Sequence, residues 1–404
     1  MRFLNTLISV VCAAVCSAGF LALSSVPASA YGTAGTSGAT FLELGPGARA
    51  LAMGEAYTAG SEDVNMLYYN PAGLGTLQYP VASYNHQELL YDSRFETAMG
   101  AFPLYKGFLA CSASAFWVPP FDRIDVNGAK TGSVTVVDTA FTAGYGKDLG
   151  PVYVGGSVKY IYQKIDTLST NSAAVDLGIM KSMYLYSPFA APIRNFSLGM
   201  SVLNLGTTAK DDPLPRTLRL GTAYIPVKWM RIHADLTENV IDPDDLYDFT
   251  YGFEEGFRAN VGVEFSWQDI LFLRGGYRFN DAGTYTFGFG FNYAIENVSF
   301  IIDTAYEDNG RFGPNYCVNV TFKLIPKIIT AGDRRSAEKY YQDGIRYYVA
   351  DDLQSSLDAF RKSRDYNPYQ RSINEKITDL EELEKLKEKN RKYEEEDQKQ
   401  NLGP

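Results

Sequence analysis

Between about Pro80 and Leu324 apolar side chains recur at every second position, in segments of roughly 9–12 residues, which is the period of a β-strand. In Thr284–Tyr293, Tyr285, Phe287, Phe289, Phe291 and Tyr293 share one face, while Thr284, Thr286, Gly288, Gly290 and Asn292 share the other. Phe257, Ala259, Val261, Val263 and Phe265 likewise oppose Arg258, Asn260, Gly262, Glu264 and Ser266. Ile232, Ala234 and Leu236 oppose Arg231, His233, Asp235 and Thr237. In Val152–Gln163, Val154, Val158, Tyr160 and Tyr162 oppose Tyr153, Ser157, Lys159 and Gln163, with Ile161 the exception. A row of aromatics open to water would aggregate, whereas facing lipid it is at home. Alternation with one polar face also suits a soluble β-sandwich, so strand number and loop lengths have to decide.

The pattern predicts about fourteen strands, beginning near residues 81, 94, 107, 137, 151, 172, 194, 216, 229, 256, 269, 283, 297 and 314. The connections after odd-numbered strands include the long ones, Pro119–Val136, Gly206–Pro215 and Asn239–Gly256. Those after even-numbered strands are tight, as at Tyr105-Lys106, Val227-Lys228, Trp267-Gln268 and Ile295-Glu296, apart from a middling one around Ser187–Ile193. Alternating long and short loops mark an outer-membrane barrel, and an even count returns both termini to the periplasm. At membrane depth every backbone polar group must be paired, so the sheet has to close. The last strand, with Tyr316, Val318, Val320 and Phe322 alternating, ends on an aromatic as such barrels do.

Residues 1–30 run from Arg2 through an apolar stretch, Leu7 to Leu23, to Ala28-Ser29-Ala30, the layout of a signal peptide; an uncleaved anchor helix is the alternative. No later segment is long and apolar enough to span a bilayer as a helix. The composition fits dispersed apolar residues: 46% hydrophobic and 14% aromatic, with 29 Tyr, 24 Phe and 36 Gly. A formal charge of -10 argues against nucleic acid, which is bound through clustered Lys and Arg. Four cysteines, two of them in the leader, form neither a disulfide framework nor a zinc signature, and no cofactor or metal is expected.

Residues 31–78 do not alternate. They are rich in Gly and Ala, carry the strong turn Asn70-Pro71-Ala72-Gly73, and are too apolar for a free tail. A plug inside the barrel is the natural place for them. A Gly-Ala-x-Phe-Leu start, then Gly45-Pro-Gly-Ala-Arg49-Ala-Leu-Ala-Met53-Gly54-Glu-Ala-Tyr57, then Tyr68-Tyr-Asn70-Pro71-Ala-Gly73-Leu74 closely resembles the PorV/PorQ family of outer-membrane proteins. That family is similar to the FadL long-chain fatty-acid transporters. The resemblance covers roughly Gly38–Leu77 by motif and the barrel by strand count and pattern. It implies an all-β transmembrane barrel of about fourteen antiparallel strands, FadL-like, with residues 79–326 as barrel and 31–78 as N-terminal hatch. Gly45, Arg49, Met53, Gly54, Asn70, Pro71 and Gly73 are the hatch motif. It also implies one of two functions: uptake of a hydrophobic small-molecule ligand by hatch rearrangement, or a PorV-like secretion, attachment or scaffold role that binds proteins through the outer loops or a periplasmic tail.

After Leu324 the composition changes. Gly344, Tyr347, Phe360 and Pro368 stand at the spacing of one tetratricopeptide unit, with Ser356 and Ser363 at small positions. Ile373, Ile377, Leu380, Leu383 and Leu386 form one stripe of a final amphipathic helix. Residues 331–404 therefore predict a small α-helical, periplasmic tail. The last helix caps the lone repeat, or the repeat docks a periplasmic or secretion-system protein or a second copy. Arg231, His233, Asp235, Arg258, Glu264, Arg274 and Arg278 fall on polar strand faces and predict a charged lumen lining. No nucleophilic serine in a recognisable elbow accompanies His233 and Asp235, so paired lumenal charges are expected, not an enzyme. The loop acids Asp122–Asn127 and Asp242–Asp245 lack the ligand series of a calcium loop.

Overall fold

The computed structural model describes residues 37–185 (except 151), 195–209, 212–239, 258–279, 283–325 (except 296, 311 and 312), 331–368 and 373–389 (except 375, 386 and 388). The leader and most of the connection after Asn239 lie outside the described residues.

Fourteen antiparallel strands close into a barrel in which each pairs with its neighbours in sequence and the first pairs with the last. They are β1 (Val81–Glu88), β2 (Arg94–Leu104), β3 (Gly107–Ile124), β4 (Lys130–Asp148), β5 (Val152–Ile165), β6 (Leu168–Met183) and β7 (Phe196–Gly206). The second half is β8 (Thr217–Val227), β9 (Met230–Asn239), β10 (Arg258–Trp267), β11 (Leu271–Phe279), β12 (Thr284–Ile295), β13 (Val298–Asp308) and β14 (Pro314–Leu324). Closure leaves no unpaired edge. The period of two then divides inside from outside: the five aromatics of β12 are between 38% and 56% exposed, while Thr284 and Thr286 on the other face are buried. Ile161, the odd apolar residue on a polar face, is fully buried against Phe41 and Leu42.

One expected loop is absent. Pro119–Val136 is not a long connection, because β3 continues to Ile124 and β4 begins at Lys130, joined by a turn closed by Asp125 N–H to Ala129 O at 2.9 Å. The two prolines cannot donate to a ladder, and the register slips between Val118 and Phe121 to leave them out of it. β6 likewise starts at Leu168, about four residues before the alternation becomes clear.

Residues 37–78 lie against the inner face of the barrel through two short helices, α1 (Ala48–Ala52) and α2 (Met66–Tyr69), and 3₁₀ turns at Thr40–Glu43 and Pro71–Thr76. The wall receives them on glycines. A Cβ at Gly276 would stand 2.2 Å from Gly54 N and 2.3 Å from Met53 C, and one at Gly155 2.3 Å from Pro71 C. Gly262, Gly288 and Gly199 meet Met53, Ala52 and Thr58 in the same way. Each such glycine lets backbone pack on backbone, which a side chain would prevent.

The second compact unit is helical. In it α3 (Ala331–Val349) and α4 (Leu353–Tyr366) pack antiparallel, with Gly344 against the Phe360 ring and Ser356 Oγ donating to Gly344 O at 2.8 Å. Ile373, Ile377 and Leu380 are buried on Tyr341, Leu357 and Phe360, so the last stripe covers the hairpin. Tyr347 is not a packing residue, being 43% exposed; Tyr341, six residues earlier, takes the place against Phe360, with ring centroids 5.6 Å apart. Pro368 accepts from Asn374 Nδ2 at 3.0 Å.

Two outcomes follow. Gly276→Val should push the hatch off β11 and lower the unfolding free energy by about 1–3 kcal/mol or more, read by urea titration of the refolded barrel. Asp352 caps α4 by accepting from Ser355 N–H, and hydrogen bonding from the Ser355 side chain, with that backbone N–H second, holds its carboxyl below the usual carboxylate range. A depressed folded value contributes stability above the unfolded pKa that is lost as pH falls through the folded one. Asp352→Ala should therefore speed amide exchange at Ser355 near neutral pH, the difference closing below about pH 4.

Candidate functional site

The hatch meets the wall through two seams of opposite character. On the β9–β13 side the contact is ionic. Arg49, at the second position of α1, reaches Glu264 on β10 with Nε and Nη2 at 2.8 and 2.9 Å from its two oxygens. Arg231 on β9 and Arg274 on β11 also donate to Glu264, each at 2.7 Å, and Arg274 continues to Asp303 on β13 at 2.7 Å. The register explains the cluster, since Glu264 lies directly between Arg231 and Arg274 on the neighbouring strands. Glu264 has no exposed side-chain surface, and a buried carboxylate stays ionised only with such company.

Three further wall residues extend this seam through polar contacts with the hatch. Asp235 Oδ2 accepts from the amides of Tyr57 and Thr58 at 2.8 and 2.7 Å, and Thr286 Oγ1 accepts from Gly54 N–H at 3.0 Å. Gly54 has φ +64, a conformation glycine adopts without strain. Arg278 pairs with Glu55 at 3.3 Å and with Glu307. His233 stacks on the Tyr57 ring at 5.8 Å, and among the described residues it shares no hydrogen bond with Asp235. Arg258 stands apart, donating to Asn239 at 3.1 Å; Asn239 in turn donates to Glu43 at 2.7 Å.

On the β2–β5 side the contact is apolar. Phe41, Leu42 and Leu67 of the hatch face Phe95, Met99 and Ala140 of the wall across a cleft of about 30 Å³. That holds about one water and no elongated ligand, so this cleft is not the long apolar lumen pocket that a transporter of hydrophobic molecules requires, and its closure counts against that reading. Lys159 ends the cleft; its ammonium lies 3.0 Å from Asp176 and 2.7 Å from Asn204 Oδ1. Asn204 is the residue of a bulge: the β6–β7 register slips between Val175 and Leu177, Asn204 takes φ +60, and its N–H donates to Asp176 Oδ1 at 2.8 Å. This irregularity, one of several in the barrel, sits on β7, with β6 between it and the β2–β5 seam.

The turn motif joins the seams. Asn70 Nδ2 donates to Thr58 O at 2.9 Å and Ile179 O at 3.2 Å, and Asn70 Oδ1 accepts from Ala72 N–H at 3.1 Å. Pro71 presents its carbonyl to Gly146 and Gly155, Gly73 lies under Met66, and Gly45 fits beside the Tyr69 hydroxyl, its carbonyl held by Gln87 Nε2 at 2.8 Å. Asp303, Lys159, Asp176, Asn204 and Glu55 join these contacts without having been singled out by motif. Asn204 is not ionisable and Glu55 lies in the non-alternating hatch; for Asp303, Lys159 and Asp176 the available signal was an ionisable side chain on the polar face of an alternating strand. Arg219, which lies over Tyr68 and Tyr69 at 5.7 and 5.2 Å, was missed for the same reason.

Removing the charge at Glu264 leaves three guanidinium groups around a neutral amide. Glu264→Gln should lower barrel stability by about 3–5 kcal/mol, whereas Arg258→Gln, beside Asn239 at the end of β9, should cost about 1 kcal/mol or less; urea unfolding in detergent measures both.

Among solved structures the chain is similar to the Ralstonia pickettii toluene transporter TbuX, with 12% identity, 70% of this chain and 98% of that one covered and a TM-score of 0.45. It is similar to the monoaromatic hydrocarbon channel CymD at 10% identity, 69% and 97% coverage and a TM-score of 0.46. A Pseudomonas aeruginosa FadL homologue matches at 8% identity, 67% and 95% coverage and a TM-score of 0.39. Comparison with curated proteins gives no match. The resemblance to PorV/PorQ stands on the Gly38–Leu77 motifs and the strand pattern of the barrel, and none of these comparisons carries that name. The model of the uncharacterised protein family UPF0164 matches residues 22–321, about three quarters of the chain, and the protein belongs to that family.

Proposed function

We propose that the barrel spans the outer membrane, with both termini in the periplasm, and takes up hydrophobic small molecules of the long-chain fatty-acid kind as the hatch yields along its apolar seam. The observation that carries this reading is the sidedness of the plug. On one side Arg49 is held to Glu264 at 2.8 Å within a network of buried charges. On the other, Phe41, Leu42 and Leu67 of the hatch face Phe95, Met99 and Ala140 across a mainly apolar cleft, whose lining also includes Ser112, Ser114, Thr142 and Lys159. A hydrophobic solute entering there exchanges one apolar contact for another, so the burial of apolar surface is kept. A polar solute has no such substitute, and displacing the hatch from Glu264 would strand charge.

The exterior supports the membrane assignment: the β12 aromatics, Leu273 on β11 and Phe141 on β4 all point outward from a closed ladder, and lipid is the medium that tolerates them. A second reading, PorV-like binding of a protein partner, is favoured by one feature, the tetratricopeptide-like hairpin of α3 and α4, and would place that partner at the periplasmic tail.

Met99→Trp should fill the cleft. In proteoliposomes, uptake of radiolabelled oleic acid or toluene through this variant should fall about tenfold or more, with the heat-modifiable migration of the folded barrel unchanged. Uptake equal to that of the parent would overturn the reading. Loss of a co-purifying partner on deletion of residues 331–404, with no uptake by either barrel, would favour the alternative.

A further inference from the structure

The inward face of β9 is polar from end to end: Arg231, His233, Asp235, Thr237 and Asn239 follow one another at every second position. The middle three are buried, and the two at the ends are partly exposed. The register sets further polar groups beside them. Thr237 stands between Arg219 on β8 and Arg258 on β10, and Asp235 between Gly221 and Asn260. From the hatch, Tyr69 covers Arg219, its ring centre 5.2 Å from the guanidinium carbon.

Arg219 Nε and Nη1, Thr237 Oγ1, Asn260 Oδ1, His233 Nδ1 and the Tyr69 hydroxyl have no hydrogen-bond partner among the described residues. None of these five residues is more than 4% exposed. Burying such groups unpaired is costly, most of all for a guanidinium, which is always charged. The wall residues among them come from three adjacent strands, where side chains that face one another have Cβ atoms about 4.5–5.5 Å apart. That gap is wide for a direct bond between short side chains and suits a small molecule bonded to both.

Three observations favour water over an anion. The groups are of mixed kind: Arg219 donates, the Thr237 and Tyr69 hydroxyls do either, and the Asn260 amide offers an acceptor or a donor by its orientation. Arg219 Nε and Nη1 lie on different edges of the guanidinium, so one oxyanion does not bridge them as a fork. Two carboxylates already face the same space. Asp235 Oδ1 crowds the point where a Cβ on Gly221 would stand, and Glu55 Oε1 shares with the Tyr69 hydroxyl the corresponding point at Gly45. A buried water bonds about three polar groups of either kind.

We infer that a file of bound water molecules joins the hatch to β8–β10 along the polar face of β9, with Arg219 as its anchor. Part of the polar seam is thus water-mediated, next to the direct bonds on Glu264. The inference is independent of what passes the lumen.

The test is hydroxyl-radical footprinting of the full chain in detergent by brief X-ray exposure, with oxidised residues identified by mass spectrometry. Radicals form from bound water in place, so a buried side chain beside it is oxidised although bulk solvent does not reach it. Tyr69, at 0% exposure, should be oxidised about tenfold faster than Tyr153, which is 2% exposed and packed on Ala72 and Met180. Arg219→Met and Asn260→Leu should each bring Tyr69 down to the rate of Tyr153, in protein whose heat-modifiable migration shows a folded barrel; the second serves if the first fails to assemble. Equal rates at Tyr69 and Tyr153 in the parent, or a fast rate at Tyr69 surviving both substitutions, overturns the inference. Selective slowing at Tyr69 on addition of sodium phosphate, with the exposed Tyr347 unchanged, would assign the edges of Arg219 to an anion and also overturns it.

Discussion

A carboxylate with no exposed surface must be surrounded by cations or give up its charge, and Glu264 is where that constraint ties this protein together. Its three arginine partners come from three elements: Arg231 and Arg274 from the strands on either side and Arg49 from the hatch. Without Arg49 the hatch has no ionic attachment at this point, and without Glu264 the wall presents a surplus of positive charge to the lumen. The closed ladder makes such a cluster possible, because it fixes which residues of neighbouring strands stand side by side and facing inward.

From this follows a division of labour around the lumen. The β9–β13 half holds the hatch by charge, by backbone amides on Asp235, and by glycines that let α1 lie on the wall. The β2–β5 half holds it mainly by apolar contact, with Pro71 packed on Gly146 and Gly155 and Lys159 over the Tyr68 ring. Contacts of the first kind are specific and costly to break; contacts of the second kind can be exchanged for those of any apolar guest. A plug fastened on one side and merely packed on the other has a direction in which to yield.

Much of the barrel was legible in the chain because its signal is local. Period-two alternation marks each strand and its two faces, and even the exception, Ile161, has a partner in Phe41. The errors arose where local chemistry speaks against a strand that the sheet nevertheless forms: Pro119-Pro120 reads as a loop but is absorbed by a bulge, and the early turns of β6 are too polar to stand out. The charged residues Arg231, Glu264 and Arg274 could be placed on lumenal faces, but their union with Arg49 spans 215 residues and depends on closure and register, which no single segment encodes. The glycines show the same limit. Gly276 and Gly275 are adjacent and alike in sequence, yet one makes room for the hatch and the other opens outward. In the tail, Tyr341 and Tyr347 both lie on α3, and only the packed helices distinguish the buried ring from the exposed one.

The most direct measure of the two-seam account is amide hydrogen exchange across the hatch in the reconstituted barrel, with and without a hydrophobic probe such as oleic acid. The account predicts faster exchange at residues 40–44 and 64–68 when the probe is present, with residues 48–54, beside Glu264, as protected as before. Faster exchange at 48–54 to the same extent, or no change anywhere in the hatch while the probe crosses, would contradict it.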